Sequence, residues 1–150
     1  MNVHTLVLMI MFGAVLFVPA VSATVVEEKD GYVVTTTPAY YRLPDMYQVR
    51  SSGVLTQGRI DSYSTYVPAG KTRFIADLSW GNTANSLSLT IDAPDSQLGP
   101  YYDSADGTLD GRISLQVRKT GGLPSGTWWS DICGHTVNGA QSYSYAAYAN

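Results

Sequence analysis

"KTRFIADLSW" (71–80) decides the fold. Phe74, Ala76, Leu78 and Trp80 recur at every second position, with Arg73, Ile75, Asp77 and Ser79 between them. Successive side chains of a strand point to opposite faces, so a period of two predicts a half-buried strand with the first set inward. "SLSLTID" (86–92) repeats the pattern with Leu87, Leu89 and Ile91 inward, and "RISLQVR" (112–118) does so with Ile113, Leu115 and Val117. "GRIDSYSTYVPAG" (58–70) alternates Ile60, Ser62 and Ser64 against Asp61, Tyr63, Thr65 and Val67 before Pro68 and Gly70 turn the chain. "TWWSDIC" (127–133) and "SYSYAAY" (142–148) close the series, and Tyr32 to Thr36 is a shorter candidate strand.

Turn-forming clusters such as "GNTANS" (81–86) and "KTGGLPSG" (119–126) separate these runs. No segment after residue 23 carries a sustained apolar repeat of 3.6 residues. The expectation is therefore an all-β domain, a two-sheet antiparallel β-sandwich whose core takes one face of each strand. Burying one Leu or Ile in such a core contributes about 1.5–3 kcal/mol.

The N-terminal "MNVHTLVLMIMFGAVLFVPAVSA" (1–23) is apolar from Leu6 to Val21 except at Gly13 and Pro19, and ends in small residues before the acidic "TVVEEKD". It reads as a secretory signal-peptide helix cleaved after Ala23. An uncleaved membrane anchor is the alternative, although the run falls short of the ~20 residues a spanning helix needs. Residues 24–53 mix charge, proline and aromatic side chains and read as an approach segment to a sandwich over 54–150. The expected location is outside the cell or on its surface.

With 9 basic and 12 acidic residues and a formal charge of −3, the chain has no basic cluster to displace counterions from a polyanion, so nucleic acid is not an expected partner. Cys133 is the single cysteine, which excludes an intrachain disulfide and leaves packing or a bound ion to hold an exported domain together. Its expected role is that of a small buried apolar side chain.

Two features carry candidate chemistry. In "YYDSADGTLDG" (101–111), Asp103, Asp106 and Asp110 alternate with glycines. Calcium takes six to eight oxygens, with glycine permitting the tight bend that gathers them. The spacing does not match a helix-flanked calcium loop, and Asp-Gly pairs also form plain turns, so a structural calcium site and a simple turn both stay open. In "TWWSDIC", register with Ile132 puts Trp128 inward and Trp129 outward, where it would either stack on a sugar or a partner side chain, helped by Tyr101 and Tyr102, or be covered by the approach segment. Catalysis is not expected. A nucleophile needs a base within hydrogen-bond reach, and His135, two residues from Cys133, is the one histidine after the leader, in a stretch (134–139) that reads as a turn.

The order of "GRIDSYSTYVPAGKTRFIADLSW", "NSLSLTIDAPD", a Gly/Asp loop and "LPSGTWWSDICG" with a closing aromatic strand resembles the bacterial and archaeal pre-peptidase C-terminal domain family, from Gly58 to Tyr148. The resemblance implies a jelly-roll-like β-sandwich that accompanies secreted proteases without being catalytic. Some relatives bind collagen or polysaccharide, and some bind calcium. These 150 residues hold no protease beside it. The resulting expectation is a binding module for an extracellular protein or glycan, or alternatively a structural subunit of an envelope or filament assembly.

Overall fold

The computed structural model describes residues 23–37 and 50–150. The expected leader lies outside the described residues except for Ala23. None of the described residues forms a helix long and apolar enough to cross a membrane.

The described residues form ten strands: β1 (Val25–Lys29), β2 (Tyr32–Thr36), β3 (Arg50–Leu55), β4 (Ile60–Val67), β5 (Phe74–Ser79), β6 (Ser86–Ala93), β7 (Ser96–Tyr102), β8 (Arg112–Lys119), β9 (Gly126–Thr136) and β10 (Gln141–Ala149). One sheet has the order β1-β2-β8-β5-β10-β3 and the other β4-β9-β6-β7. Every pairing is antiparallel. Strands β3 to β10 thus divide into the two four-stranded sets of a jelly roll, β3-β10-β5-β8 and β4-β9-β6-β7. The β1–β2 hairpin extends the first set beyond β8.

The alternation read from the sequence is the alternation of burial. Phe74, Ala76, Leu78, Leu87, Leu89, Ile91, Leu115, Val117, Trp128 and Ile132 are all fully buried, and Trp80 and Ile113 nearly so. Trp128 stacks on Phe74 with ring centroids 4.8 Å apart, and Tyr32 meets it edge-on at 6.0 Å. Each buried indole N–H has a carbonyl partner, Pro124 for Trp128 at 3.1 Å and Asn85 for Trp80 at 3.0 Å. A large ring with one donor can enter a core only on that condition.

Three strands were not apparent as alternations, each for a local reason. β1 is an edge strand reading "VVEEK", whose charges suit a sheet margin. β3 lacks apolar alternation because it lies under an aromatic ring. A Cβ on Gly53 would sit 2.5 Å from the Tyr143 hydroxyl, so only glycine fits there. β7 contains Gly99-Pro100, a pair that reads as a break, and its ladder with β6 is irregular between Leu89 and Ile91.

The division at 53/54 falls inside β3, and the segment before it contributes β1, β2 and most of β3 to the larger sheet. β2 matches the candidate strand at Tyr32–Thr36 and buries Tyr32 and Val34. Those residues need the sandwich to cover them, which an approach segment outside it would not provide. Ile75, expected to face outward, is 2% exposed in a small cluster with Ala146 and Tyr148, apart from the main core.

Candidate functional site

Alternation along β9 and β4 sets the outer face of the four-stranded sheet. Trp128, Ser130 and Ile132 turn in, while Trp129, Asp131 and Cys133 turn out. Trp129 is 47% exposed, as its register with Ile132 predicts. On β4 the same logic buries Val67 and exposes Ile60, Ser62, Ser64 and Tyr66. Tyr66 is opposite Thr127 and Ser64 opposite Trp129, so Tyr66 and Trp129 occupy diagonal positions of one ladder, ~7–8 Å apart in backbone terms. Tyr66 is 69% exposed. Their surroundings include the hydroxyl of Ser62, which donates to Asp131 at 2.5 Å.

Tyr66 escaped the sequence reading, although its signal was present. The alternation that points Tyr63 and Thr65 inward obliges Tyr66 to face out with Ser64. The two tyrosines expected beside Trp129 lie elsewhere. Tyr101 points into the interior, 4% exposed, and its hydroxyl donates to Glu27 of β1. Burial, then the Glu27 carboxylate, pushes the Tyr101 hydroxyl well above the usual tyrosine pKa. Tyr102 does face out, but it shares a row with Ser88 and Cys133. That row is four residues along β9 from Trp129, or ~13 Å, and Tyr102 is two strands across. Its ring packs instead against His135, centroids 4.7 Å apart. Adjacency in sequence placed the two tyrosines on opposite faces, and the strand order separated Tyr102 from the indole.

The aspartate loop contains a short 3-10 turn, Asp103–Asp106. Asp103 is buried, and its carboxylate accepts the backbone N–H groups of Asp110 at 3.3 Å, Gly111 at 3.1 Å and Arg112 at 3.2 Å. Asp106 Oδ1 accepts the Thr108 N–H at 2.9 Å, and Asp110 is exposed. The closure is tight, since a Cβ on Gly111 would lie 2.8 Å from the backbone of Gly81. Asp103 is thus held on three backbone N–H groups, and the described residues hold no group of three or more His, Cys, Asp or Glu arranged to bind a metal. In this geometry the aspartates close the loop on its own backbone. They bend the chain from β7 into β8. Arg112, the first residue of β8, makes a two-pronged ion pair with Asp77 of β5 at 2.8 and 3.0 Å, which raises its pKa.

Cys133 is half-buried on the outer face rather than in the core, because it alternates with the inward Ile132, and β9 continues to Thr136 through the stretch that reads as a turn. Cys133 and His135 alternate on that one face. Among the described residues no hydrogen bond joins them.

Two open depressions lie near these elements. One, of about 200 Å³, is lined by residues including Ser51, Tyr63, Thr65 and Tyr145. The other, of about 280 Å³, lies at the seam of β1 and β7 beside Tyr101 and Tyr102.

No family model and no curated protein matches the chain. Among solved structures it is similar to the CspB protease of Clostridium perfringens, at 11% identity over 65% of this chain, with a TM-score of 0.49. It spans only 25% of that protease. It is also similar to PliG of Aeromonas hydrophila, a periplasmic inhibitor of g-type lysozyme, at 18% identity over 69% of this chain and 87% of that one, with a TM-score of 0.42.

Proposed function

We propose that the chain is a secreted or surface-exposed binding module, without catalysis of its own, that recognises a protein or glycan through the outer face of the four-stranded sheet. The observation that supports this reading is the exposure of Tyr66 and Trp129 at diagonal positions of a regular ladder. The same sheet buries Trp128 completely on its other side. Flat rings with a polar handle supply large contact area at low entropic cost, and Trp and Tyr dominate the energetics of protein interfaces. The apolar N-terminal stretch and its small-residue ending support export. The jelly-roll order agrees with the architecture implied by the resemblance to the pre-peptidase C-terminal family.

Replacing Tyr66 and Trp129 together by alanine is expected to weaken binding to a panel of insoluble polysaccharides and immobilised extracellular proteins at least about tenfold. The melting temperature should hold, because exposed substitutions shift stability by about 0.5 kcal/mol or less. Binding retained by the double variant would remove the surface from consideration. A second reading, a subunit of a larger assembly, is favoured by β4. Among the described residues this eight-residue strand is paired only with β9 and exposes Ile60 and Tyr66 at the sheet margin. Sedimentation that grows with concentration in the absence of ligand distinguishes that role.

A further inference from the structure

The hairpin β1–β2 is joined to the rest of the molecule by more than its ladder with β8. Glu27 of β1 reaches β7, where one oxygen, Oε2, accepts both the Gly99 N–H at 3.0 Å and the Tyr101 hydroxyl. Its other oxygen, Oε1, has no hydrogen-bond partner among the described residues. The space of about 280 Å³ beside it has walls that include Val26, Pro100, Tyr102 and Ala105. The cation nearest along the strand, Lys29, is committed to the Gln97 carbonyl at 2.6 Å and does not line this space.

We infer that this pocket receives a basic side chain, arginine or lysine, from a protein partner, with the methylene stem against Val26, Pro100 and the Tyr102 ring and the cationic head on Glu27. The match is one of chemistry. Basic side chains bury an apolar stem while their head seeks an acceptor, and the pocket offers apolar walls with one fixed carboxylate. A ring stacked beside a cation adds a further attraction. An amino sugar carries the same charge, but its several hydroxyls would meet a lining in which Val26, Pro100 and Ala105 offer no side-chain partner and Ser104 offers a single hydroxyl. The pocket is separate from the Tyr66–Trp129 surface, so either can fail without the other.

The probes are N-acetyl-arginine amide, N-acetyl-lysine amide, the neutral isostere N-acetyl-citrulline amide, and glucosamine, each titrated into the 15N-labelled protein. At least one basic amino-acid probe is expected to shift the amides of Gly99, Tyr102 and Ala105 saturably, and citrulline to leave them unmoved. Glu27→Gln is expected to weaken that binding at least about tenfold, the loss of a charge-assisted hydrogen bond. Tyr102→Ala, which removes an exposed wall and leaves the carboxylate in place, should weaken it too, and decides the matter if Glu27→Gln does not fold. Trp129→Ala should bind the probe normally, which separates this pocket from the aromatic surface. No shift with either basic probe, an equal response to citrulline, or a response to glucosamine only would overturn the inference, as would full binding by a folded Glu27→Gln.

Discussion

Around Trp128 the interior is dry: its ring lies on Phe74, with Leu115 and Val117 also fully buried. Around Tyr143 the interior is wired by hydroxyls. Tyr143 donates to Asp61 at 2.6 Å, so the proton in its 2.7 Å contact with Tyr63 comes from Tyr63. Tyr145, stacked on Tyr63 at 5.6 Å, donates to the buried Ser130 at 2.5 Å. The two regions belong to one sandwich and one alternation pattern, yet different forces hold them. The first depends on area removed from water, roughly 25 cal/mol per Å². The second gains little net energy per bond, about 1 kcal/mol, but leaves costly unpaired groups if one member goes.

Charge placed in the dry region should have the largest effect. Leu89→Asp buries an unpaired carboxylate on the inward face and is expected to abolish cooperative folding, which circular dichroism and a thermal melt will show. A normal melt would mean that the inward face is misassigned. Trp128→Ala should cost about 3–5 kcal/mol by denaturant unfolding. A cost near that of a surface substitution would show that the stack with Phe74 does not carry the core.

High pH attacks the hydroxyl-bonded region. Burial first, and then Asp61 and Tyr63, push the Tyr143 hydroxyl well above its ordinary pKa, and burial does the same to Tyr145. In the unfolded chain a tyrosine releases its proton near pH 10. Above that value the unfolded state binds fewer protons than the folded state, so stability falls as pH rises and is unaffected below it. Thermal melts from pH 8 to 12 should stay level to about pH 10 and then decline. Absorbance at 295 nm should show these tyrosines ionising together with unfolding. Ionisation of the full tyrosine complement in a folded protein would contradict the network. Tyr143→Phe is the finer probe. It keeps the ring and removes one hydroxyl, leaving Asp61 and Tyr63 without their shared partner, at an expected cost of about 1–3 kcal/mol. Trp128→Phe would instead remove mainly area, so the pair of variants separates the two kinds of cohesion.

Legibility followed the same division. The strands that carry Leu87, Leu89, Ile91, Ile113, Leu115 and Val117 were readable because apolar residues at every second position have one satisfactory arrangement. Tyr143 and Tyr145 share that register, but a tyrosine is equally at home against a core and against water. Their network became visible only when β4 was placed opposite β10. Asp103 likewise looks the same in sequence whether it holds an ion or the N–H groups of its own loop. In the folded chain its carboxylate accepts the N–H groups of Asp110, Gly111 and Arg112. The Glu27 pocket had no sequence signal, since its walls come from β1 and from β7 with the turn that follows it, separated by about seventy residues and three reversals of sheet.

Period-two hydrophobicity by itself determined that the chain builds two β layers, which face of most strands is dry, and that Trp128 and Trp129 part company, because side-chain direction in a strand is local geometry. The tertiary structure decided the jelly-roll order, the membership of the N-terminal hairpin, and the partners of the buried tyrosine hydroxyls and of Asp61 and Asp103. Those depend on which strands become neighbours, and residues distant in the chain meet only when the whole sheet has formed.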